Sequence, residues 1–322
     1  MKKSQIYVIL IICGAMIAYI MIGGAFNNDL KKSVKNPYEY DLGDIRKIDP
    51  AMIRYKEVKR IALAFPEPKV LDYHQGLLGI GYQNEVQVID TLGRELFNKS
   101  ISGPITSITF SPSGEIFLGC KTHVEKYNLN GELSETWNEI DSSAYITSIA
   151  FSGDYVFVAN AGGPFIIQYD QTGQMLHSFD GKNRTDKSHG FIIPSPYFDL
   201  DVDSEGQLWA ANTGVQAIEN YEKDGSLRAF WGSSSYDLNG FIGCCNPSQF
   251  TILTNDSFVT CEKGLVRIKV YLPSGELESV VATPEDFDAN SDPPDVTSDE
   301  QNNIYVLDIT RKMIRKFERN DS

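Results

Sequence analysis

Three of the five cysteines are grouped in one segment, residues 240–282, and carry the most reactive side chains of the chain. Cys244 and Cys245 are adjacent, and Cys261 follows in the same segment. The adjacent pair could form a strained vicinal disulfide, or Cys261 could pair with one of the two. Lys263 would favour a thiolate on Cys261, and three thiols are donors for a soft metal. Structural thiols, a redox or ligand-contacting role and a metal site therefore all stay open.

Polar side chains near these cysteines predict a ligand-binding face. Asn246 follows the adjacent pair, while Lys263 and Arg267 follow Cys261. Together with Arg311, these basic groups would help to hold an anion. The predicted face consists of Cys244, Cys245, Asn246, Cys261, Lys263, Arg267 and Arg311.

The elements that must position these residues come from a repeated hairpin signature. An apolar or aromatic residue is followed by three residues and then by glycine, and alternating runs flank each copy. Glycine supplies the positive φ that short hairpin loops require. A second hairpin precedes each copy, so each unit of roughly 40 to 50 residues holds four strands, which is typical of propeller blades. The five copies are Ile89–Gly93, Tyr127–Gly131, Tyr169–Gly173, Tyr221–Gly225 and Tyr271–Gly275.

The repeats predict an all-β, six-bladed β-propeller of four-stranded antiparallel blades. The last blade has only three strands before Ser322, while Val58–Phe65 is a spare strand ahead of blade one. We expect this strand to be the outer strand of the last blade, because that pairing closes the ring and removes exposed edges. The predicted domains are a transmembrane segment (1–28), a linker (29–54) and the propeller (55–322).

Two blades carry the residues that give a family resemblance. They read PDVTSDEQNNIYVLD at 294–308 with IRKF at 314–317, and FDLDVDSEG at 198–206 with NYEKDG at 220–225. In these segments the chain resembles the NHL-repeat family of six-bladed propellers. The resemblance implies the fold more than a function, because the family includes ligand-binding scaffolds, interaction domains and a few lyases and lactonases.

A second candidate site lies where the second strands end. Superposed repeats place Asn160, Asn212 and Asp308 at equivalent ends, where their oxygens could hold calcium. Lactonase propellers of similar type bind a metal with comparable residues, but the acidic ligand they need from a second blade is not evident. Small polar residues that end strands and bind backbone explain the same pattern. The full predicted ring is Gly81, Cys120, Asn160, Asn212, Cys261 and Asp308.

Other catalytic patterns receive little support. A zinc site of the amidating-lyase kind needs several inward imidazoles, and the histidines do not share an equivalent position, so we interpret them as ordinary surface residues. No nucleophile-elbow, P-loop or dinucleotide glycine pattern occurs in a supporting context. The four histidines are His74, His123, His177 and His189.

The charge of the body predicts which partners it excludes, and the first residues predict where the protein lies relative to the membrane. Residues 55–322 carry 21 basic and 38 acidic side chains, and such an acidic body repels phosphate backbones, so we expect no nucleic-acid partner. Ile6–Phe26 is apolar, long enough to span a membrane and preceded by Lys2 and Lys3, which favours a propeller outside the cytoplasm. Gly23–Ala25 could instead be the cleavage site of a signal peptide, which would release a secreted protein.

Two long loops depart from the repeat, at 181–196 and 232–246. Their apolar residues, Phe191–Ile193 and Phe241–Ile242, could contact a ligand or fold over the channel as a lid. We expect a monomeric, membrane-tethered propeller that binds a protein, peptide or small ligand. The alternative is a metal-dependent hydrolase or lyase, or a thiol redox protein, on the same propeller.

Overall fold

A computed structural model describes residues 5, 12–16, 18–19, 42–182 and 189–320 of the chain. The chain divides into two compact units, residues 1–44 and 45–322. In the first unit the described residues 5, 12–16 and 18–19 are helical. No helix within the described ranges is long and apolar enough to cross a membrane. Most of the predicted transmembrane segment lies outside those ranges, so that segment stays a prediction.

The predicted linker is described only from residue 42 onward. It contains a five-residue helix, α1 (Leu42–Arg46), and a single 3-10 turn, Pro50–Met52. Asp49 begins that turn, because its side chain accepts a hydrogen bond from the Ala51 amide at 2.9 Å. A second 3-10 turn, Pro284–Asp286, precedes the last blade.

Six four-stranded antiparallel sheets, the blades, make up the body within the described residues. Blades one and two hold β2 (Val70–His74), β3 (Leu77–Gly81), β4 (Glu85–Asp90), β5 (Glu95–Ser100), β6 (Ser107–Phe110), β7 (Ile116–Cys120), β8 (His123–Tyr127) and β9 (Leu133–Thr136). Blades three and four hold β10 (Ile146–Ser152), β11 (Tyr155–Asn160), β12 (Phe165–Asp170), β13 (Met175–Phe179), β14 (Leu200–Val202), β15 (Leu208–Asn212), β16 (Ala217–Tyr221) and β17 (Leu227–Trp231). Blades five and six hold β18 (Gln249–Ile252), β19 (Phe258–Cys261), β20 (Ile268–Tyr271), β21 (Leu277–Ala282), β22 (Asp295–Ser298), β23 (Ile304–Asp308), β24 (Met313–Arg319) and β1 (Tyr55–Ala62). The predicted fold class of the body is confirmed.

The ring closes through the strand that the sequence left spare. β1 pairs antiparallel with β24, from Tyr55 opposite Arg319 to Ala62 opposite Met313. The N-terminal strand is therefore the outer strand of blade six, as predicted. This pairing joins the two ends of the body and leaves no open seam between the first and last blades.

One apolar layer fills each of the six interfaces between consecutive blades. The layer between blades five and six, for example, joins Val259 and Ile268 to Val296 and Val306. The layer that closes the ring joins Ile314 of blade six to blade one. The second and third strands of each blade thus contact a neighbouring blade on both faces, which explains why most of their residues are buried.

The repeated glycines are needed for backbone shape and for packing. All five have φ between 75° and 88°, and an irregular register next to the preceding aromatic or apolar residue marks a bulged hairpin. The outer strand of the preceding blade also packs on the glycine. A Cβ at Gly173 would lie 2.4 Å from the Trp137 ring, and one at Gly225 would lie 2.4 Å from Phe179. Glycine at this point therefore lets each blade approach the next.

Candidate functional site

The innermost strands of all six blades surround an axial channel. Its cavity of about 400 Å³ is lined by residues of β2, β6, β10, β14, β18 and β22. Sequence reasoning missed its main feature, five partly buried aspartates. Asp203 accepts hydrogen bonds within its own hairpin, and the other four form a set with partners in neighbouring blades: Asp72, Asp199, Asp201 and Asp295. The alternation of aspartates in the segment 199–203 was the available signal, because every second residue of an innermost strand faces the axis.

These carboxylates link neighbouring blades. An innermost strand has one free edge, and its backbone amides need acceptors. Each aspartate Oδ2 accepts a hydrogen bond from an amide in the next blade. The pairs are Asp72 with Phe110 at 2.7 Å, Asp199 with Phe250 at 2.8 Å, Asp201 with Ile252 at 2.7 Å and Asp295 with Leu71 at 2.7 Å.

Burial also makes the channel carboxylates unusually weak acids. It raises the pKa of Asp72 and Asp201 to about 6 and that of Asp295 to about 7, although the amide donors act in the opposite direction. The pKa of Asp199 is raised well above its ordinary value, first by burial and then by the charge of Asp295. Lysine and arginine are absent from the described lining of the channel. The channel therefore favours a cation.

A wider cavity, the mouth, opens at the end of the channel where the loops between second and third strands lie. It has a volume of about 600 Å³, and all six blades contribute residues to it. Val70, Thr147 and Gln249 line both the mouth and the channel, so the two spaces are continuous. Tyr145 and Tyr197 give the mouth two aromatic side chains. Its described lining contains neither histidine nor cysteine.

The structure brings two of the three predicted cysteines together. Cys244 is exposed and Cys245 is buried, and their sulfurs lie 3.5 Å apart as free thiols. Cys261 instead packs fully buried in the layer between blades five and six. Burial raises the pKa of the Cys261 thiol well above its ordinary value, which opposes the thiolate that the sequence predicted there.

Lys263 and Asn246 join the cysteine loop to the mouth. The Lys263 Nζ lies 5.0 Å from the ring centroid of Tyr197, a residue that lines the mouth. Asn246 is buried, and its Oδ1 accepts a hydrogen bond from the Lys263 backbone amide at 2.6 Å. Lys263 therefore lies at the rim of the mouth, whereas Asn246 holds the loop backbone.

The other two predicted basic residues are held by carboxylates. Arg267 is buried and forms two hydrogen bonds with Glu262, both of 2.8 Å, while the Lys269 Nζ lies 2.9 Å from the same carboxylate. Arg311 donates to Asp288 at 2.8 Å. The anion site predicted from these residues stays a prediction, and both guanidinium groups already have anionic partners.

The predicted calcium ligands lie at the ends of second strands, as expected, and each holds a loop. The Asn160 Oδ1 accepts from the Tyr145 amide at 2.7 Å, and the Asn212 Oδ1 accepts from the Ile192 amide at 2.8 Å. The Asp308 Oδ1 accepts from the Arg311 amide at 3.0 Å. A calcium ion would have to compete with these amides, so calcium binding at this ring stays a prediction.

The aromatic residues of the two long loops pack inward. Phe191 is buried, and its ring centroid lies 4.7 Å from that of Phe198. Phe241 is fully buried beside the Lys269 Nζ, which lies 4.7 Å from its ring centroid. These two side chains anchor their loops to the blades. Of the neighbouring residues, Ile192 is exposed and Ile242 is half-buried.

Comparison with known proteins places the fold. No family model and no curated sequence matches the chain. Its structure is similar to a streptogramin B lyase (TM-score 0.59, 13% identity, 84% of this chain and 100% of that chain). It is also similar to a protein of unknown function from Bacteroides thetaiotaomicron (TM-score 0.61, 13% identity, 82% of this chain and 75% of that chain). A third similar structure is the WD40 propeller of Doa1 (TM-score 0.55, 13% identity, 79% of this chain and 79% of that chain). At these identities the likeness shows the fold alone, and the NHL-repeat resemblance stays a prediction.

Proposed function

We propose that this protein is an NHL-like binding propeller that takes the cationic group of a small ligand or peptide in its mouth and axial channel. One observation carries the proposal: the mouth opens directly onto a channel whose described lining holds five aspartates and neither lysine nor arginine. An apolar or aromatic part of the ligand would contact Tyr145 and Tyr197. Its ammonium or guanidinium group would then reach the aspartates.

The lining of the mouth favours binding over catalysis. General-base and nucleophilic mechanisms need a convergent base and nucleophile, most often histidine with serine or cysteine. The described lining of the mouth lacks histidine and cysteine, and the histidine of the channel lining, His74, stacks on Phe110. A lyase among proteins of similar fold does not change this preference, because one propeller fold supports many functions.

A small aromatic amine tests the ligand class. The probe is phenethylamine, with phenethyl alcohol and phenylacetate as neutral and anionic analogues, added to the full chain in detergent and followed by calorimetry. We expect the amine to bind at least about tenfold more tightly than either analogue. Its affinity should rise between about pH 6 and pH 8, as the aspartates lose protons.

Matched variants locate the binding. Asp201→Asn keeps an oxygen acceptor for the Ile252 amide but removes one channel charge, so it should weaken amine binding. Glu276→Gln removes the same charge from an exposed hairpin and should not. Equal affinity for the amine and phenylacetate, or equal loss in both variants, would show that the channel is not the cation site.

We also propose that residues 1–28 tether the propeller to a membrane, with the body outside the cytoplasm. The support is the apolar run Ile6–Phe26 behind two lysines. Alkaline carbonate should leave the full chain in the membrane fraction, and protease added to intact cells should digest the body. Release by carbonate would refute the tether, and protection from protease would refute the proposed orientation; neither result bears on the ligand.

A further inference from the structure

One hairpin of blade two gathers three side chains that metals commonly bind. Cys120 ends β7, and His123 begins β8 directly opposite it. Glu125 lies two residues beyond His123, on the same face of β8. One ligand atom from each of the three residues lies within 4.8 Å of the others. Thiolate, imidazole and carboxylate are the three donor types that protein zinc sites use.

The equivalent positions in other blades show why blade two is unusual. Glu219 is the residue of blade four that corresponds to Glu125, and its Oε2 accepts a hydrogen bond from the side-chain Nδ2 of Asn212 at 2.9 Å. In blade five the corresponding residue is Lys269, which contacts Glu262 at 2.9 Å. In blades four and five, the buried polar group on the third strand therefore has a hydrogen-bonding or charged partner at the end of the second strand or next to it.

Blade two replaces that partner with a thiol. Cys120 occupies the place of Asn212, so Glu125 has no amide donor there. Glu125 is only 6% exposed. Its described partners are the Tyr127 hydroxyl at 2.6 Å, the His123 Nε2 at 3.4 Å and the Cys120 thiol, which forms a hydrogen bond with the same carboxylate. A carboxylate this deeply buried needs compensation by a cation or by several donors.

The surrounding hydrogen bonds leave the required ligand atoms free. The Thr122 Oγ1 lies 3.5 Å from the His123 Nδ1, which can donate to it and leave the Nε2 lone pair free. The Tyr127 hydroxyl donates to Oε2 of Glu125, while Oε1 faces the imidazole. The His123 side chain is 20% exposed, which gives an ion and one water access from solvent.

We propose that blade two binds a zinc-like divalent cation through Cys120 Sγ, His123 Nε2 and Glu125 Oε1, with a fourth position open to solvent. Binding converts the Cys120 thiol to a thiolate and releases its proton to solvent. The ion neutralises the buried Glu125. It also stiffens a hairpin at the edge of the mouth, because the Lys121 amide donates to Thr106, which lines the mouth, at 3.2 Å.

Cobalt substitution in the full chain tests the site. After chelator treatment, one equivalent of Co²⁺ should give a thiolate-to-metal charge-transfer band, and one equivalent of Zn²⁺ should remove it. Cys120→Ser should abolish the band, and His123→Gln should weaken cobalt and zinc binding by at least about tenfold. Because His123 is half-buried at a strand end, His123→Gln also tests the site if Cys120→Ser fails to fold.

The adjacent cysteines provide the matched control. The double variant Cys244→Ser/Cys245→Ser removes the other close thiols and should keep the band and the affinity. A band that disappears in this double variant but survives in Cys120→Ser would overturn the proposal. So would unchanged zinc affinity in folded His123→Gln.

Discussion

Arg315 on β24 donates to Glu57 on β1 at 2.7 Å, although 258 residues separate the two in sequence. Arg315 is almost fully buried. Burial raises the pKa of Glu57, but hydrogen bonds from Arg60 and Arg315 outweigh that effect and lower it to about 2. This ion pair reinforces the strand pairing that closes the ring.

Glu57→Gln should therefore weaken ring closure. We expect a loss of about 2 kcal/mol in the free energy of unfolding, measured by urea titration, because a buried guanidinium loses its nearest charge. The wild-type contribution should be present above about pH 4.5 and be lost as the pH falls towards 2. Glu318→Gln, which removes an exposed partner of Lys316, should cost less than about 0.5 kcal/mol. Equal effects of the two variants would argue against the closure role.

Among the ion pairs, we expect the buried cluster of Glu262, Arg267 and Lys269 to lose the most unfolding free energy when one member is substituted. Glu262→Gln should cost about 3 to 5 kcal/mol, because two cations that are at most 1% exposed lose their shared carboxylate. Urea titration again measures the change. The exposed carboxylate of Glu222 pairs with Arg228 at 3.7 Å, so Glu222→Gln is the control and should be nearly silent.

Lys269 should also make the free energy of unfolding depend on pH in alkaline solution. Burial lowers the pKa of Lys269 to about 8. Between about pH 8 and pH 10 the unfolded chain therefore holds more protons at this residue, so the free energy of unfolding should rise with pH. Lys269→Met should abolish this rise in urea titrations. An identical slope in wild type and variant would contradict it.

The channel aspartates predict that the protein is most stable in mildly acidic solution. Their raised pKa values mean that the folded state keeps protons that the unfolded chain has released by about pH 5. The free energy of unfolding should fall by about 1 to 3 kcal/mol between pH 5 and pH 7.5. His74, which lines the same channel and whose pKa is lowered by burial, acts in the opposite direction.

Asp295→Asn separates these contributions. The amide oxygen can still accept the hydrogen bond from Leu71, but the residue no longer titrates. We expect a shallower fall of stability with pH, measured by thermal unfolding at each pH. Asp154→Asn, on an exposed turn, should leave the slope unchanged. A steeper fall in Asp295→Asn would contradict the assignment.

The cysteines should react in two classes. In a Cys13→Ser background, an aromatic disulfide reagent should label Cys244 quickly, whereas buried Cys120 and Cys261 should react only on unfolding. In unlabelled protein, a mild thiol oxidant should remove two thiols by joining Cys244 to Cys245, because their sulfurs lie 3.5 Å apart. Rapid labelling of Cys261 would contradict its place in the core.

The sequence by itself determined the six blades. Strand alternation and the positive φ of Gly93, Gly131 and their equivalents are local properties, readable at fixed spacing. The closing strand could also be predicted, because the blade count left one strand spare. Residues 1–28 remain a sequence-based prediction, since most of them lie outside the described ranges.

The tertiary structure decided the chemistry of the site. Asp295 receives its hydrogen bond from Leu71 across 224 residues, and the buried setting of Cys261 depends on contact between blades five and six. Charge compensation at Arg267 likewise depends on the folded hairpin. The pKa of a group and the partners of its charge follow from burial and from neighbours that only the folded chain brings together. A one-dimensional pattern does not contain those distances.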